Sequence, residues 1–180
     1  MPQTAQPTAP AQTTAPTPTT APTQTTTPTP TTASATNSFT FKDWEEHPVG
    51  PEGVFPRLAR ATVTNAFTGA LTAPGTTCAY TIAYTGDSHG AYTGMELVTG
   101  TVDGREGAFV LEERGTFDAT GTHCDFTVVP GSGTGGLTGL GGSGSFVHRY
   151  GDTSVEYSFD YAFTAAPAAT AAAAPADQSA

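Results

Sequence analysis

Between residues 38 and 164 the chain is a succession of short segments in which apolar and polar residues alternate. A period of two is typical of β-strands with one buried face, and no stretch shows the 3.6-residue apolar stripe of an amphipathic helix. The alternation predicts eight strands, over 38–46, 58–69, 77–85, 91–102, 108–118, 122–129, 142–149 and 154–164. The sequence therefore indicates an all-β domain.

The segments between the predicted strands are short and rich in Gly, Asp and Pro. Asp103-Gly104-Arg105 and Tyr150-Gly151-Asp152 are examples that supply residues tolerant of positive φ, as tight hairpin turns require. Such turns predict an eight-stranded antiparallel up-and-down barrel, which has no free sheet edges and a lumen for side chains or one small ligand. A sandwich of two sheets is the alternative architecture.

The two ends of the chain differ in composition from this domain. Residues 1–37 are rich in Thr and Pro and contain no charged side chain, and residues 165–180 are rich in Ala with two interrupting prolines. Neither segment offers enough apolar surface to offset the entropy of ordering it. We therefore expect a disordered tail over 1–37, a barrel domain over 38–164 and a second disordered tail over 165–180.

The charge of the chain limits its partners and location. A net charge of −10 with no basic cluster would repel a phosphate backbone, so we expect no nucleic-acid partner. No apolar run is long enough for a membrane span, and the start lacks the basic and apolar segments of a secretory signal. The prediction is a cytoplasmic protein. Export is the alternative, because Thr/Pro-rich tails also occur as stalks on exported proteins. The sequence is compatible with an oligomer.

Two stretches imitate catalytic or nucleotide-binding motifs. The Gly-rich run PGSGTGGLTGLGGSGS at 130–145 contains G-x-G-x-x-G after a predicted strand, but so many glycines cannot form the helix that a dinucleotide site requires. We interpret it as the corner between the sixth and seventh strands. The run GDSHG at 86–90 fits G-x-S-x-G, but strand continues after it, so it predicts a hairpin loop instead of a nucleophile elbow.

Histidine and cysteine spacing gives no sign of a metal site. The four histidines fall near turns without the paired spacing of zinc ligands, so we expect no metal and no other cofactor. Cys78 and Cys124 open the third and sixth predicted strands, which start at opposite barrel ends, so we expect two free thiols. Trp44 falls on the face opposite Phe39 and Phe41, and its expected role is a packing anchor and not a ligand platform.

Two carboxylates interrupt the apolar faces of their strands. Glu113 shares a face with Leu111 and Phe117, and Glu96 shares one with Tyr92 and Val98. An inward carboxylate is costly unless it is hydrogen-bonded or neutral, and such groups often have a raised pKa suited to acid–base catalysis. A position at the barrel rim in water is the alternative for each of them.

Four segments resemble the DUF3224 family, which is common in actinobacteria. They are FKDWEE (41–46), RATVTNAFTG (60–69), FVLEERGTFD (109–118) and TVVPGSGTG (127–135), and the resemblance spans 38–163. The resemblance implies a small β-barrel similar to allene oxide cyclase, with no settled biochemical role. Family members usually carry His where Glu113 stands, so a function that depends on that His does not transfer to this chain.

The sequence favours a cofactor-free isomerase or cyclase acting on a small apolar metabolite, polyketide- or lipid-derived, enclosed in the barrel. Glu113 is the first candidate for the acid–base group and Glu96 the second. The predicted walls of the lumen are aromatic and aliphatic, a setting typical of small-molecule pockets. They comprise Tyr80, Tyr84, Phe109, Leu111, Phe117, Tyr157, Phe159 and Tyr161. The alternative is a non-catalytic barrel that binds or carries a small apolar ligand.

Overall fold

The computed structural model of the protein describes residues 31–32, 37–51 and 53–164. Its elements are β1 (Thr31–Thr32), β2 (Ser38–Val49), β3 (Arg57–Thr68), β4 (Leu71–Gly86), β5 (His89–Val102), β6 (Arg105–Phe117), β7 (Gly121–Val128), a 3₁₀ turn (Gly135–Leu137), β8 (Leu140–Arg149) and β9 (Val155–Phe163). The predicted all-β class and its eight main strands are confirmed. The predicted tails lie outside the described residues, except for β1, which pairs with β9, and Asn37.

The eight main strands form a closed ring. Each strand from β2 to β9 pairs with the next in antiparallel register, and β9 returns to pair with β2 at Ser38 and Phe39. A ring that closes on itself is the barrel that the sequence predicted, and it excludes the two-sheet sandwich. β2 and β9 are paired only at Ser38 and Phe39. Beyond Phe39 the two strands are not paired, and this opening in the ring is called the seam.

The Gly-rich stretch closes one end of the barrel. It lies between β7 and β8, as predicted, and it folds back onto β6, where the Thr134 amide donates to the Ala108 carbonyl (2.8 Å). Gly135 has φ +58°, a conformation that glycine adopts without steric cost. This turn places Leu137 inside the barrel with no exposed surface. The hydrophobic plug leaves the opposite end as the entrance.

The interior consists of two unlike halves. Large apolar side chains from the eight main strands pack around Leu137 in the closed half, with Phe109 and Leu71 fully buried among them. In the open half the buried residues are smaller, with Ala59 and Ala61 on β3 facing Ile82 on β4. Small side chains on an inward face leave volume unfilled. The open half therefore contains a cavity, whereas the closed half is packed.

A bulge in β2 shapes the entrance. Asp43 has φ 56°, and the register with β3 shifts between Lys42 and Glu45. An extra residue in one strand reverses the side-chain alternation beyond it. Trp44 therefore turns toward the interior, and the prediction that it lies on the opposite face is wrong. Its ring packs against Tyr80 with centroids 5.9 Å apart.

Two local predictions are confirmed, and one strand is longer than predicted. The run GDSHG is a hairpin, since β4 ends at Gly86 and β5 begins at His89 with no helix after Ser88. Both cysteines are free thiols. Strand β4 begins at Leu71, before the predicted start at residue 77, because Pro74 and Gly75 fall at a register shift in the sheet and hide the alternation there.

Candidate active site

A cavity of about 740 Å³ occupies the open half of the barrel. This volume is within the usual range for small-molecule sites. Aromatic side chains form most of its wall, and polar residues come chiefly from the turns at the entrance. The lining comprises Phe39, Phe41, Trp44, Val63, Asn65, Tyr80, Ile82, Tyr84, Asp87, Ser88, Tyr92, Phe117, Thr122, Phe146, His148, Tyr150, Gly151, Asp152 and Val155.

Glu113 lies behind the inner end of this cavity. Its side chain points inward from β6 and is only 2% exposed, which excludes the rim position. The Tyr80 hydroxyl donates to Glu113 Oε2 at 2.8 Å, and Tyr80 itself lines the cavity. Burial, and then the charge of Glu113, raise the pKa of Tyr80 well above its usual value. Tyr80 is therefore a neutral donor that links the cavity wall to a buried carboxylate.

The contact between Tyr80 and Glu113 depends on a glycine between them. In the sheet register, Tyr80 on β4 faces Gly94 on β5, and Gly94 faces Glu113 on β6. The Tyr80 ring lies across Gly94, where a Cβ atom would be 2.7 Å from Tyr80 Cε1. Because Gly94 has no side chain, the phenol can span β5 and reach the carboxylate two strands away.

We predict that Gly94→Ala separates Tyr80 from Glu113. The added methyl group would overlap the ring, and overpacking of this kind costs about 1–3 kcal/mol of stability. Since Trp44 packs on Tyr80 and is the single tryptophan, its fluorescence emission should shift in the variant. Gly141→Ala is the matched control, since a Cβ there has no atom within 4 Å. An unchanged emission spectrum and stability in Gly94→Ala would contradict the prediction.

Glu96 is the second buried carboxyl group and is 1% exposed. The Asn65 amide donates to Glu96 Oε1 at 2.8 Å, and the Thr76 hydroxyl contacts the same oxygen. Burial first, and then the negative charge of Glu113, raise the pKa of Glu96 to about 8. At neutral pH Glu96 is therefore mainly protonated.

The two carboxyl groups do not line the main cavity. They border a much smaller void of about 10 Å³, which shares Phe39, Asn65 and Phe146 with the wall of the main cavity. Asn65 contacts Glu96 and Tyr80 contacts Glu113, so these two side chains connect the carboxyl groups to the cavity. None of the ion pairs among the described residues involves either carboxyl group.

Both cysteines lie beside Glu113. The Cys78 thiol is 3.7 Å from Oε1 and the Cys124 thiol is 3.6 Å from Oε2. Burial, and then the charge of Glu113, raise the pKa of both thiols far above the usual range, so they are neutral donors. The argument that the cysteines sit at opposite barrel ends is wrong, because β4 begins before Cys78 and both side chains reach one layer of the barrel.

This layer also brings together a possible metal-donor set. One donor atom from each of Cys78, Glu96 and Glu113 lies within 4.8 Å of the others. A thiolate with two carboxylates would suit a divalent transition metal such as zinc. Sequence spacing did not reveal the set, because its members come from three different strands. Glu96 Oε1 and both oxygens of Glu113 already accept from or approach a protein hydrogen-bond donor.

A polar cluster lies at the entrance beside Tyr84. The Tyr84 hydroxyl donates to both oxygens of Glu46, at 2.7 and 2.9 Å, and the Arg57 guanidinium lies over the Tyr84 ring at 3.6 Å. Arg57 is also 3.9 Å from Glu46, and the Glu46 carboxylate balances the positive charge of Arg57. Burial, and then Glu46, raise the pKa of Tyr84 to about 12. The cluster fixes the orientation of Tyr84 in the wall.

The seam beyond Phe39, where side chains of β2 contact side chains of β8, forms the other side of the entrance. Here the Phe41 and His148 rings are 5.1 Å apart, and His148 contacts Tyr150 with ring centroids 6.0 Å apart. His148 Nε2 is buried and has no hydrogen-bond partner among the described residues. This nitrogen is available to a polar atom of a bound ligand.

The predicted wall residues separate into three groups. Tyr80, Tyr84 and Phe117 line the main cavity, whereas Leu111 and Tyr157 border the small void beside the carboxyl groups. The remaining three side chains pack in the closed half and reach neither space; they are Phe109, Phe159 and Tyr161. A period of two assigns a residue to a face but not to a depth along the barrel. The sequence reasoning missed wall residues from the bulge, β5 and the seam, namely Phe41, Trp44, Tyr92, Phe146, His148 and Tyr150.

Comparison with known proteins places this barrel in a family. The family model described as "Protein of unknown function (DUF3224)" matches residues 35–161, which contain all the side chains of the site. The chain belongs to the DUF3224 family. A crystal structure of a DUF3224 protein of unknown function from Shewanella oneidensis MR-1 is similar, with 29% sequence identity and a TM-score of 0.56. The match covers 73% of this chain and 99% of that one.

The DUF3224 match supports the resemblance stated from the sequence, and no curated protein matches the chain. Within the described residues of this DUF3224 barrel, no helix is long and apolar enough to cross a membrane.

Proposed function

We propose that the protein is a cofactor-free isomerase or cyclase that moves a proton on a small, largely apolar molecule held in the cavity. One observation carries the proposal. The Tyr80 hydroxyl lies on the cavity wall and donates to Glu113, a carboxylate buried beside a second carboxyl group, Glu96. Paired carboxyl groups in a mostly apolar site are typical of acid–base catalysis.

The proton moves in two linked transfers. Tyr80 Oη accepts the proton from an acidic C–H of the substrate while the Tyr80 hydroxyl proton passes to Glu113 Oε2. The electron pair of the broken C–H bond stays on the substrate as an enolate. The reverse transfers return a proton to a different carbon, which completes the isomerisation with no net change in the protein. The negative charge thus moves from Glu113 to the substrate and back.

Glu96 acts through Glu113 and does not contact the cavity. Its raised pKa keeps Glu96 mainly protonated at neutral pH, and Glu113 serves as the base. Asn65 and Thr76 orient Glu96 by bonding to Oε1. Glu96 is therefore a positioning residue, and Glu113 reaches the substrate by way of Tyr80.

The family resemblance supports a cyclisation or isomerisation by analogy of fold alone. Barrels of the allene oxide cyclase type enclose apolar substrates, and the aromatic wall of this cavity suits the same use. Since one fold serves many functions, the site and not the fold carries the proposal.

Solvent deuterium exchange tests the proposal. A β,γ-unsaturated ketone such as 3-cyclohexenone is incubated with the full-length protein in D₂O, and ¹H NMR follows double-bond migration and deuterium uptake. We expect Glu113→Gln and Tyr80→Phe each to lose about 100-fold of the rate. Glu112→Gln is the matched control, because Glu112 is the next residue, lies on the outer face and bonds to Arg114. Equal rates in all four proteins would refute the proposal.

A carrier function is the second candidate, and one observation favours it. The carboxyl groups are recessed behind the wall and satisfied by internal hydrogen bonds, as in a purely structural network. A carrier would retain an apolar ligand through purification, detectable by mass spectrometry, and would not exchange protons on it. Binding without exchange in the wild type would establish this second function.

A further inference from the structure

We infer that the cavity selects a flat organic cation, a ring system bearing a positively charged nitrogen, over neutral or anionic molecules of the same shape. The inference rests on the proposed function only in assuming that the cavity takes a small molecule. The charge of the wall, the arrangement of its rings and the partners of its tyrosines each support it.

The charged side chains that line the cavity are carboxylates. Asp87 and Asp152 line it at the entrance, and Glu113 lies behind Tyr80 at its inner end. Among the described residues, no Lys or Arg lines the cavity. An anionic ligand would lose its hydration without gaining a cationic partner, whereas a cation would be attracted along the whole length of the cavity.

Aromatic rings of different orientation line the cavity. Tyr80 and Tyr92 meet at an interplanar angle of 84°, and Tyr84 and Phe117 meet at 72°. Trp44 adds a broad surface beside Tyr80. Rings that are mutually perpendicular can surround a positive charge with their electron-rich faces, as in the aromatic cages that bind quaternary ammonium groups.

Two of these rings are made richer in electrons by their hydrogen bonds. Tyr80 donates its hydroxyl proton to Glu113, and Tyr84 donates to Glu46. A phenol that donates to a carboxylate gains negative character, because linked hydrogen bonds polarise one another. The Arg57 guanidinium lies 3.6 Å from the Tyr84 ring but does not line the cavity, and Glu46 balances its charge.

The size of the cavity indicates a ring-bearing cation and not a small ammonium ion. At about 740 Å³ it exceeds what a tetramethylammonium-sized group would fill, and unfilled space would weaken the contacts. A planar system of two or more rings can contact Trp44 and Tyr80 together while its charge stays near the aromatic faces.

Three probes that share a fused two-ring skeleton and differ in charge test the inference. N-methylquinolinium, 1-methylnaphthalene and 1-naphthoate carry charges of about +1, 0 and −1, and their binding to the full-length protein is measured by calorimetry and ligand-observed NMR. We expect the cation to bind about tenfold more tightly than the neutral probe and the anion to bind weakest. Equal or tighter binding of the neutral probe or the anion, or no binding of any probe, would overturn the inference.

Two variants locate the binding. Trp44→Leu should weaken N-methylquinolinium binding about fivefold and reduce its advantage over 1-methylnaphthalene. Phe55→Leu is the control, because Phe55 is exposed near the same end but does not line the cavity. Equal effects of the two variants would overturn the assignment to this cavity.

The exchange experiment separates this inference from the proposed function. Loss of cation preference with exchange retained refutes the inference alone. Cation preference without exchange refutes the proposed function alone.

Discussion

Glu96→Gln is expected to stabilise the folded protein strongly at about pH 9 and to change its free energy of unfolding little at about pH 5. The pKa of Glu96 is raised from its ordinary 4.5 to about 8 in the folded state. A carboxyl group with a raised folded pKa favours folding when protonated and opposes it when ionised. Wild-type stability should therefore fall as pH rises from about 5 to about 8, by up to about 4 kcal/mol.

Glutamine removes this penalty and keeps the acceptor oxygen that Asn65 and Thr76 contact. Urea unfolding of the full-length protein across this pH range provides the measurement. Glu112→Gln is the control, because Glu112 lies on the outer face in a surface ion pair whose removal changes stability little. If the Glu96→Gln and wild-type curves run parallel from about pH 5 to about pH 9, Glu96 is not the buried acid described above.

Leu137→Ala is expected to lower the free energy of unfolding by about 3 kcal/mol. Leu137 is fully buried at the centre of the turn that closes the barrel, and its removal leaves a void among the packed side chains of that half. The cavity lies in the other half, so probe binding there should be retained. Denaturant unfolding measures the loss of stability, and calorimetric titration with N-methylquinolinium measures probe binding.

Leu97→Ala provides the matched comparison. Leu97 is 56% exposed on β5, and its truncation should change stability by less than about 0.5 kcal/mol. If the two leucine variants lose the same stability, the Gly-rich turn does not close the barrel as described.

The sequence predicted the strands and their inward faces well, because the alternation of side chains is a local property of an extended chain. Glu96 and Glu113 illustrate this, since each aligned with its apolar neighbours, with a rim position as the alternative, and each is buried. The same reasoning failed at Trp44, where the bulge at Asp43 reverses the alternation. A bulge of one residue leaves no clear mark in a pattern of period two.

The depth of a side chain inside the barrel was beyond the reach of the sequence. Phe109 and Phe117 have the same phase on β6, yet Phe109 packs in the closed half and Phe117 lines the cavity. The two residues lie near opposite ends of the same strand, and only the tertiary structure shows which end is packed around Leu137.

The amino-acid sequence by itself determined the all-β class, the strand phases that turn two carboxyl groups inward, and the position of the Gly-rich corner. Only the tertiary structure decided that Tyr80, Glu96, Glu113 and the two cysteines meet in one layer behind an aromatic cavity. The reason is physical. Alternation and turn chemistry act between near neighbours in the chain, whereas the site is assembled across strands whose relative displacement is set by closure of the barrel.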